Sequence, residues 1–408
     1  MTPLPRVASR ADGLYNAATG APFVSRGANY TRLAKNAKGQ VYHSTFEPGI
    51  YNRTKAVAFL NQMKHDGYNT ARVFIDHGTS GGDHGLGRGL GTYDKAYGPY
   101  MDNVASFVMD AAARGIYTVP SLDYFPTNSY YWGIVAKEDG DGPVNMAGQN
   151  LSYMERGRVA AKADYVANFA TALLDRIGQE HRTAILAYQS DNEVHFQSNK
   201  APFHKMSGSV TPLNGVTYQM RDRADRQQAA DASVVEYSVR VKRKLSTVDP
   251  NALLAMGFFS YQAVGKKGAD GFAVYCDTNC SATVDYRYPV RAGILSYWGK
   301  VDVLDLHMYE HHGAAVLDLH AMGSRKDPYI VGEFGALKSY YGYNITKAAY
   351  AMRDLQRNMC RLDASGYLYF AWDTYEPLAS LDLFYQLTEK SGAINGQLAP
   401  IVRPNPCA

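Results

Sequence analysis

Two glutamates stand where carboxyl chemistry would be placed: Glu193 in the run LAYQSDNEVH and Glu333 in VGEFG. Each follows an apolar, strand-like run, so each side chain is expected at a strand end rather than on a solvated helix face. Two such carboxyls can divide one reaction between them. One holds a proton and gives it to a departing oxygen; the other, ionised, attacks the carbon that oxygen leaves. That is the minimum machinery for breaking a glycosidic bond. The division requires unequal proton affinities. Arg72 and the Tyr309 hydroxyl are expected beside Glu333, keeping it charged and lowering its pKa. Glu193, less compensated, is expected to be raised.

The elements that must position this pair alternate along the chain. Strand patterns occupy 22–29, 68–75, 116–122, 184–189, 251–258, 302–307, 328–332 and 367–372. Helical patterns occupy 54–66, 101–114, 153–177, 226–247, 290–298, a stretch from 315, and 347–364, with an eighth, short helix near 380–387. Strands alternating with helices predict a parallel sheet, and eight such units predict a (β/α)8 barrel with enlarged loops on the C-terminal face of the strands. An open doubly wound sheet is the other candidate. The glycine-rich run at 78–91 lacks the spacing and the following helix of a phosphate-binding fingerprint, and reads as a loop. One catalytic domain over 1–408 is expected, with an N-terminal extension at 1–20 and a C-terminal tail at 390–408.

In a barrel, side chains at the C-terminal strand ends carry the chemistry. These are Asn29 after the first strand, Arg72 within the second with Asp76 and His77 beyond it, and Asp123 and Tyr124 after the third. Asn192 and Glu193 follow the fourth, His307 and Tyr309 the sixth, Glu333 the seventh, and Trp372 ends the eighth. Glu193 and Glu333, 140 residues apart in sequence, would face each other across the barrel mouth.

With those residues in order, the chain resembles glycoside hydrolase family 5, the cellulase-like family of retaining glycosidases in clan A. LAYQSDNEVH matches the family's acid/base strand, including the less common Val194, and VGEFG its nucleophile strand. HMY at 307–309, AW at 371–372, ARVF at 71–74 and GAN at 27–29 match four further elements, over roughly residues 20–375. The resemblance implies Glu193 as general acid/base and Glu333 as nucleophile. It implies Asn192 on the sugar 2-hydroxyl, Arg72, Tyr309 and His307 in the network around Glu333, and Trp372 as the platform under the sugar. Asn29 and Tyr124 complete the implied contacts. The implied mechanism is double displacement with retention and carboxyls about 5–5.5 Å apart, with no metal and no organic cofactor. The expected partner is a β-linked polysaccharide or oligosaccharide, of β-glucan or β-mannan type, bound by a monomer. One departure stands out: where many members carry a histidine after the third strand, this chain reads SLDYFP, with Asp123 or Tyr124 in its place.

Two other readings compete with this one. A barrel could bind carbohydrate without cleaving it, although an intact acid pair argues against that. His307, His311 and His312 in HMYEHH suggest a metal-dependent barrel enzyme, but no carboxylate from a third element assembles beside them in sequence. With 42 Lys and Arg against 38 Asp and Glu, the net charge is +4. The one dense basic stretch, Arg240–Lys244, reads as a solvated helix face rather than a nucleic-acid surface. No apolar run is long enough for a membrane span. The start of the chain lacks a signal-peptide pattern. Four cysteines suggest two disulfides, Cys276–Cys280 and Cys360–Cys407, and with them a secreted or periplasmic protein whose signal is absent from this sequence. Finally, 32 tyrosines against 3 tryptophans suggest a cleft that hydrogen-bonds as much as it stacks, with Tyr130, Tyr131, Tyr218, Tyr261 and Tyr275 lining it.

Overall fold

A computed structural model describes residues 2–78, 84–87, 98–123, 125–139, 146–264, 285–309, 327–373 and 383–408. Eight parallel strands close into a barrel: β1 (Ser25–Tyr30), β2 (Thr70–Phe74), β3 (Tyr117–Ser121), β4 (Tyr188–Gln189), β5 (Leu254–Phe259), β6 (Val303–Met308), β7 (Tyr329–Phe334) and β8 (Gly366–Tyr369). β8 pairs with β1, Gly366 opposite Ser25 through Tyr369 opposite Ala28, which closes the ring. Each lies within a predicted strand or within two residues of one. The reason is visible in burial: the residues of β2, like those of β5, β6 and β7, are all buried. One face meets the helices and the other fills the barrel, so the strands read as continuous apolar runs.

The helices cover the outside. α1 (Arg53–His65) starts at Asn52, whose side chain accepts from the Lys55 N–H, and buries Ala56, Phe59, Leu60 and Met63, a single helical stripe. α2 (Gly98–Ala112), α3 (Arg156–Ile177), α4 (Arg223–Val248), α5 (Ala292–Tyr297) and α6 (Ile345–Arg361) complete the described cover, and of these α4 and α6 start at capping side chains, Asp222 and Asn344. The pattern at 153–177 is divided at Glu155 between a short helix, Asn150–Met154, and α3. The basic stretch lies on α4, where Lys242 pairs with Asp302 and Lys244 with Asp164, as a solvated face should. The helix expected from 315 lies outside the described residues. Residues 383–387 of the stretch near 380–387 are not helical.

Short strand pairs outside the barrel escaped the sequence reading, and three of them bear on the barrel and its mouth. A hairpin, Val7–Arg10 with Gly13–Asn16, covers the N-terminal end of the barrel, where Val7 and Leu14 join Val119, Ala255, Val303 and Leu368. A second hairpin, Leu33–Lys35 with Val41–His43, stands over the C-terminal face after β1. A third pair joins His195–Gln197 to Arg287–Pro289 across a long stretch of chain. Short pairs of this kind carry too little apolar alternation to register in sequence. Cys360 and Cys407 form a disulfide that ties the C-terminal segment to the end of α6. Cys276 and Cys280 lie outside the described residues.

Candidate active site

β6 and β7 decide where the carboxylates point. On β6, Leu304, Leu306 and Met308 pack outward while Val303 faces the interior with Asp305 and His307. On β7, strict alternation from the inward Ile330 would send Glu333 outward. Instead the register shifts against both neighbours, between Asp305 and His307 on one side and between Val331 and Phe334 on the other. This irregularity re-aims Glu333 into the barrel mouth. It depends on Gly332, whose N–H donates to Asp305 Oδ1 at 2.6 Å. A Cβ at 332 would stand 2.0 Å from that oxygen. A second glycine serves Glu193. Gly257 on β5 pairs through its backbone with Asp191 and Val194, and a Cβ there would lie 1.9 Å from the Asn192 carbonyl.

Arg72 ties the site together from a fully buried position. Nη1 donates to Glu333 Oε1 at 2.6 Å and to Asn29 Oδ1 at 2.7 Å, Nε donates to Gln189 Oε1 at 2.7 Å, and Nη2 donates to Asn192 Oδ1. Asp305 lies 3.6 Å from Nε. Asn29 in turn donates to the Gly332 carbonyl at 2.8 Å, which braces β7 from β1, one strand removed past β8. The Tyr309 hydroxyl donates to Glu333 Oε2. Both oxygens of Glu333 are therefore committed to cationic or hydroxyl donors, as expected.

Glu193 departs from expectation. His307 Nδ1 lies 3.1 Å from Glu193 Oε1 and 3.5 Å from Glu333 Oε2, so the imidazole stands between the two carboxylates. Its Nε2 lies 3.7 Å from Asp305, an ion-pair distance too long for a hydrogen bond. Burial opposes a charged imidazole, but Glu333, Asp305 and Glu193 outweigh it and lift its pKa to about 10. The Glu193 carboxyl feels the converse. Burial pushes it up, but the His307 bond and charge, with Arg287 and His195 beyond, hold it below the ordinary glutamate range. The raised Glu193 of the sequence reading is thus corrected: a cation from β6 and another from the strand pair, neither adjacent in sequence, compensate it.

Trp372 is also corrected. β8 ends at Tyr369, and beyond it Trp372 turns outward, buried edge-on against Phe59 and Tyr68 under α1. It is core, not platform. The aromatic at the mouth is Phe370, which packs with Leu33, Phe74 and Phe384 and lines a cavity of about 250 Å3 together with Tyr42, His43, Asn192 and Glu333. The loop tyrosines fare likewise. Tyr131, Tyr218 and Tyr261 are buried in the main core and Tyr130 is a surface residue. Tyr275 and Tyr124 lie outside the described residues. Asp123, beside Tyr124, accepts the Asn192 N–H at 3.1 Å, and burial raises its pKa to about 6.

Two further cavities of about 290 Å3 each meet at Glu193. One is polar, with Asp123, Lys162, Asp191 and Tyr237. The other lies between Phe259 and Phe384, with Arg287, His307 and Tyr309. Sequence reading missed Asp305, Gln189, Phe370 and Arg287. Asp305 was within reach, two residues before His307 and therefore on the same strand face. Arg287 carried no local signal.

Glu193, His307 and Glu333 each offer an atom within 4.8 Å of the others, a spacing that metal ligands can also have. The donor set does not suit a cation. Arg72 and Tyr309 already occupy both oxygens of Glu333. His311 and His312 lie outside the described residues.

Comparison with solved structures finds the same barrel fold in other proteins. An endo-1,4-β-mannanase from Rhizomucor miehei superposes with a TM-score of 0.60 at 12% identity, covering 98% of this chain and 99% of that one. A glycoside hydrolase family 5 mannosidase from the same organism gives 0.54 at 13% identity, with 98% of each chain covered. An exo-β-1,4-mannosidase from an Opitutaceae bacterium, strain TAV5, gives 0.57 at 15% identity over 97% of this chain, which spans 60% of that protein. At such identities the likeness establishes the fold. No family model and no curated protein sequence matches the chain.

Proposed function

We propose that this chain is a retaining β-glycoside hydrolase that cleaves β-1,4-mannan-type chains. The observation that carries the reading is the pair Glu193 and Glu333, bridged by His307 with ligating atoms within 4.8 Å. A retaining enzyme places its carboxyls about 5–5.5 Å apart, and an inverting one needs about 6.5–9.5 Å to admit a water. Glu333, paired with Arg72, attacks the anomeric carbon as Glu193 protonates the departing oxygen. Glu193 then takes a proton from water. The water oxygen bonds to the anomeric carbon, and the bond to Glu333 breaks. Arg72 engages the oxygen of Asn192 and turns its amide N–H toward a sugar hydroxyl, while Phe370 supplies an apolar face. The mannan assignment rests on the names of the structural neighbours.

The same reading takes the chain as one catalytic domain acting as a monomer. It assigns it to an oxidising compartment, which the Cys360–Cys407 disulfide favours. The test is hydrolysis of β-1,4-mannan and of aryl β-mannosides by the wild type, Glu193→Ala and Glu333→Ala. Glu333→Ala should lose all turnover. Glu193→Ala should lose turnover of mannan but keep the first step on substrates with acidic leaving groups. Wild-type rates in either variant would refute the assignment, and product of inverted configuration would refute the mechanism.

A further inference from the structure

Arg287 stands over the cavity between Phe259 and Phe384, with Nη1 3.9 Å from Glu193 Oε2. Nothing about its position is casual. Asp285 holds it through Nε at 3.1 Å and Nη2 at 2.8 Å. The guanidinium lies 4.8 Å from the centre of the Phe259 ring. Its own backbone pairs with Gln197, and Pro289 pairs with His195, two residues beyond Glu193. His195 Nδ1 also meets the Glu193 carbonyl at 2.8 Å. The strand carrying Arg287 and the segment carrying Glu193 therefore move as one. With Nε and Nη2 taken by Asp285, Nη1 is the group turned toward Glu193. The separation is too long for a direct hydrogen bond, so the contact is an ion pair at the rim of the cavity.

We propose that Arg287 is a positioning residue for the two-step reaction: it holds Glu193 in the ionised, base-competent form and so favours the water-consuming second step over the first. This rests on the reading of Glu193 as acid/base. In the first step Glu193 must carry a proton, and a neighbouring cation works against that. In the second it must start ionised to accept a proton from water, and near its midpoint the same cation keeps it so. Arg287 is one of several charged groups that face Glu193. His307 approaches from β6 with Glu333, Tyr309 and Asp305 behind it, His195 and Asp285 flank Arg287, and Asp123, Asp191 and Lys162 lie across the polar cavity. Among these, Arg287 stands at the rim, its side chain 42% exposed against 0% for His307. It can therefore be removed without leaving a buried charge unpaired.

Two measurements test this. The first needs no substrate: titrate the Glu193 carboxyl by carbon NMR with labelled glutamate, assigned by Glu193→Gln, in the wild type, Arg287→Met and Arg287→Lys. A unit charge near 4 Å in a water-like dielectric corresponds to a shift of about 0.7 pH unit. The midpoint should rise by about that much in Arg287→Met and stay in place in Arg287→Lys. An unchanged midpoint in Arg287→Met overturns the proposal. The second is kinetic. On 2,4-dinitrophenyl β-mannobioside, whose leaving group needs no proton, Arg287→Met should move the acid limb of kcat to higher pH, lowering kcat about five-fold below the Glu193 midpoint, with kcat/KM unchanged. On mannopentaose the basic limb of kcat/KM should move to higher pH. Equal losses on both substrates would mark a merely structural residue and overturn the proposal. If the wild type cleaves neither mannoside, the substrate assignment fails while the titration still decides the role of Arg287.

Discussion

Replacing Asp305 with asparagine is the sharpest probe of the charge arrangement. Asp305 is fully buried, accepts from the Gly332 N–H at 2.6 Å and from Gln189 Nε2 at 2.8 Å, and faces His307 Nε2 at 3.7 Å. The substitution keeps the shape and removes one negative charge. At 3.7 Å and an effective dielectric near 20, that charge stabilises the imidazolium by about 4.5 kcal/mol, or about 3 pH units. His307, lifted to about 10 in the wild type, should therefore titrate near neutrality in Asp305→Asn, which imidazole NMR reads directly. Stability must follow. A histidine raised in the folded state contributes stability that is complete below its unfolded pKa of about 6.5 and declines as pH climbs through the folded value. Wild-type unfolding free energy from denaturant titration should thus fall steadily between pH 6.5 and 10. In Asp305→Asn most of that decline should vanish. Glu193 and His307 share a proton, so they titrate as a pair, and the basic limb of kcat/KM should drop with His307. A His307 midpoint that does not move, or an unchanged slope of stability against pH, would refute the charge-bridge account of the site.

Two contrasts follow from placement alone. Trp372→Ala should cost about 3–5 kcal/mol of stability, as removal of a buried aromatic does, and leave KM nearly unchanged. Phe370→Ala should raise KM at least ten-fold with less than half that stability loss; the reverse pattern would restore Trp372 as the sugar platform. Reducing the Cys360–Cys407 disulfide, or Cys360→Ser, opens a loop of 47 residues and should lower stability by about 2–4 kcal/mol. Equal unfolding midpoints with and without reductant would show that the cross-link contributes nothing.

Much of the barrel was legible because each strand buries both faces, which leaves continuous apolar runs that helices punctuate. The ends of those runs marked Asn29, Arg72, Asn192, Glu193, His307, Tyr309 and Glu333, and the structure brings all seven together around one buried guanidinium. What failed was the platform role that the resemblance implied for Trp372. Trp372 lies on the parity that should face inward and instead packs outward, because β8 stops at Tyr369. The loop tyrosines failed for a simpler reason: long loops are pinned to the body of the protein, and Tyr131, Tyr218 and Tyr261 are buried in its main core.

The amino-acid order by itself determined which elements form and which chemical groups stand at their ends, since both depend on local periodicity and residue type. Tertiary structure alone decided direction and charge. Glu333 faces the cleft through a register shift that exists only because Asp305 on β6 receives the Gly332 N–H. Glu193 is held ionised because His307 and Arg287 arrive from elements far along the chain. Proton affinity is a sum over neighbours in space, and no spacing along a strand encodes that sum.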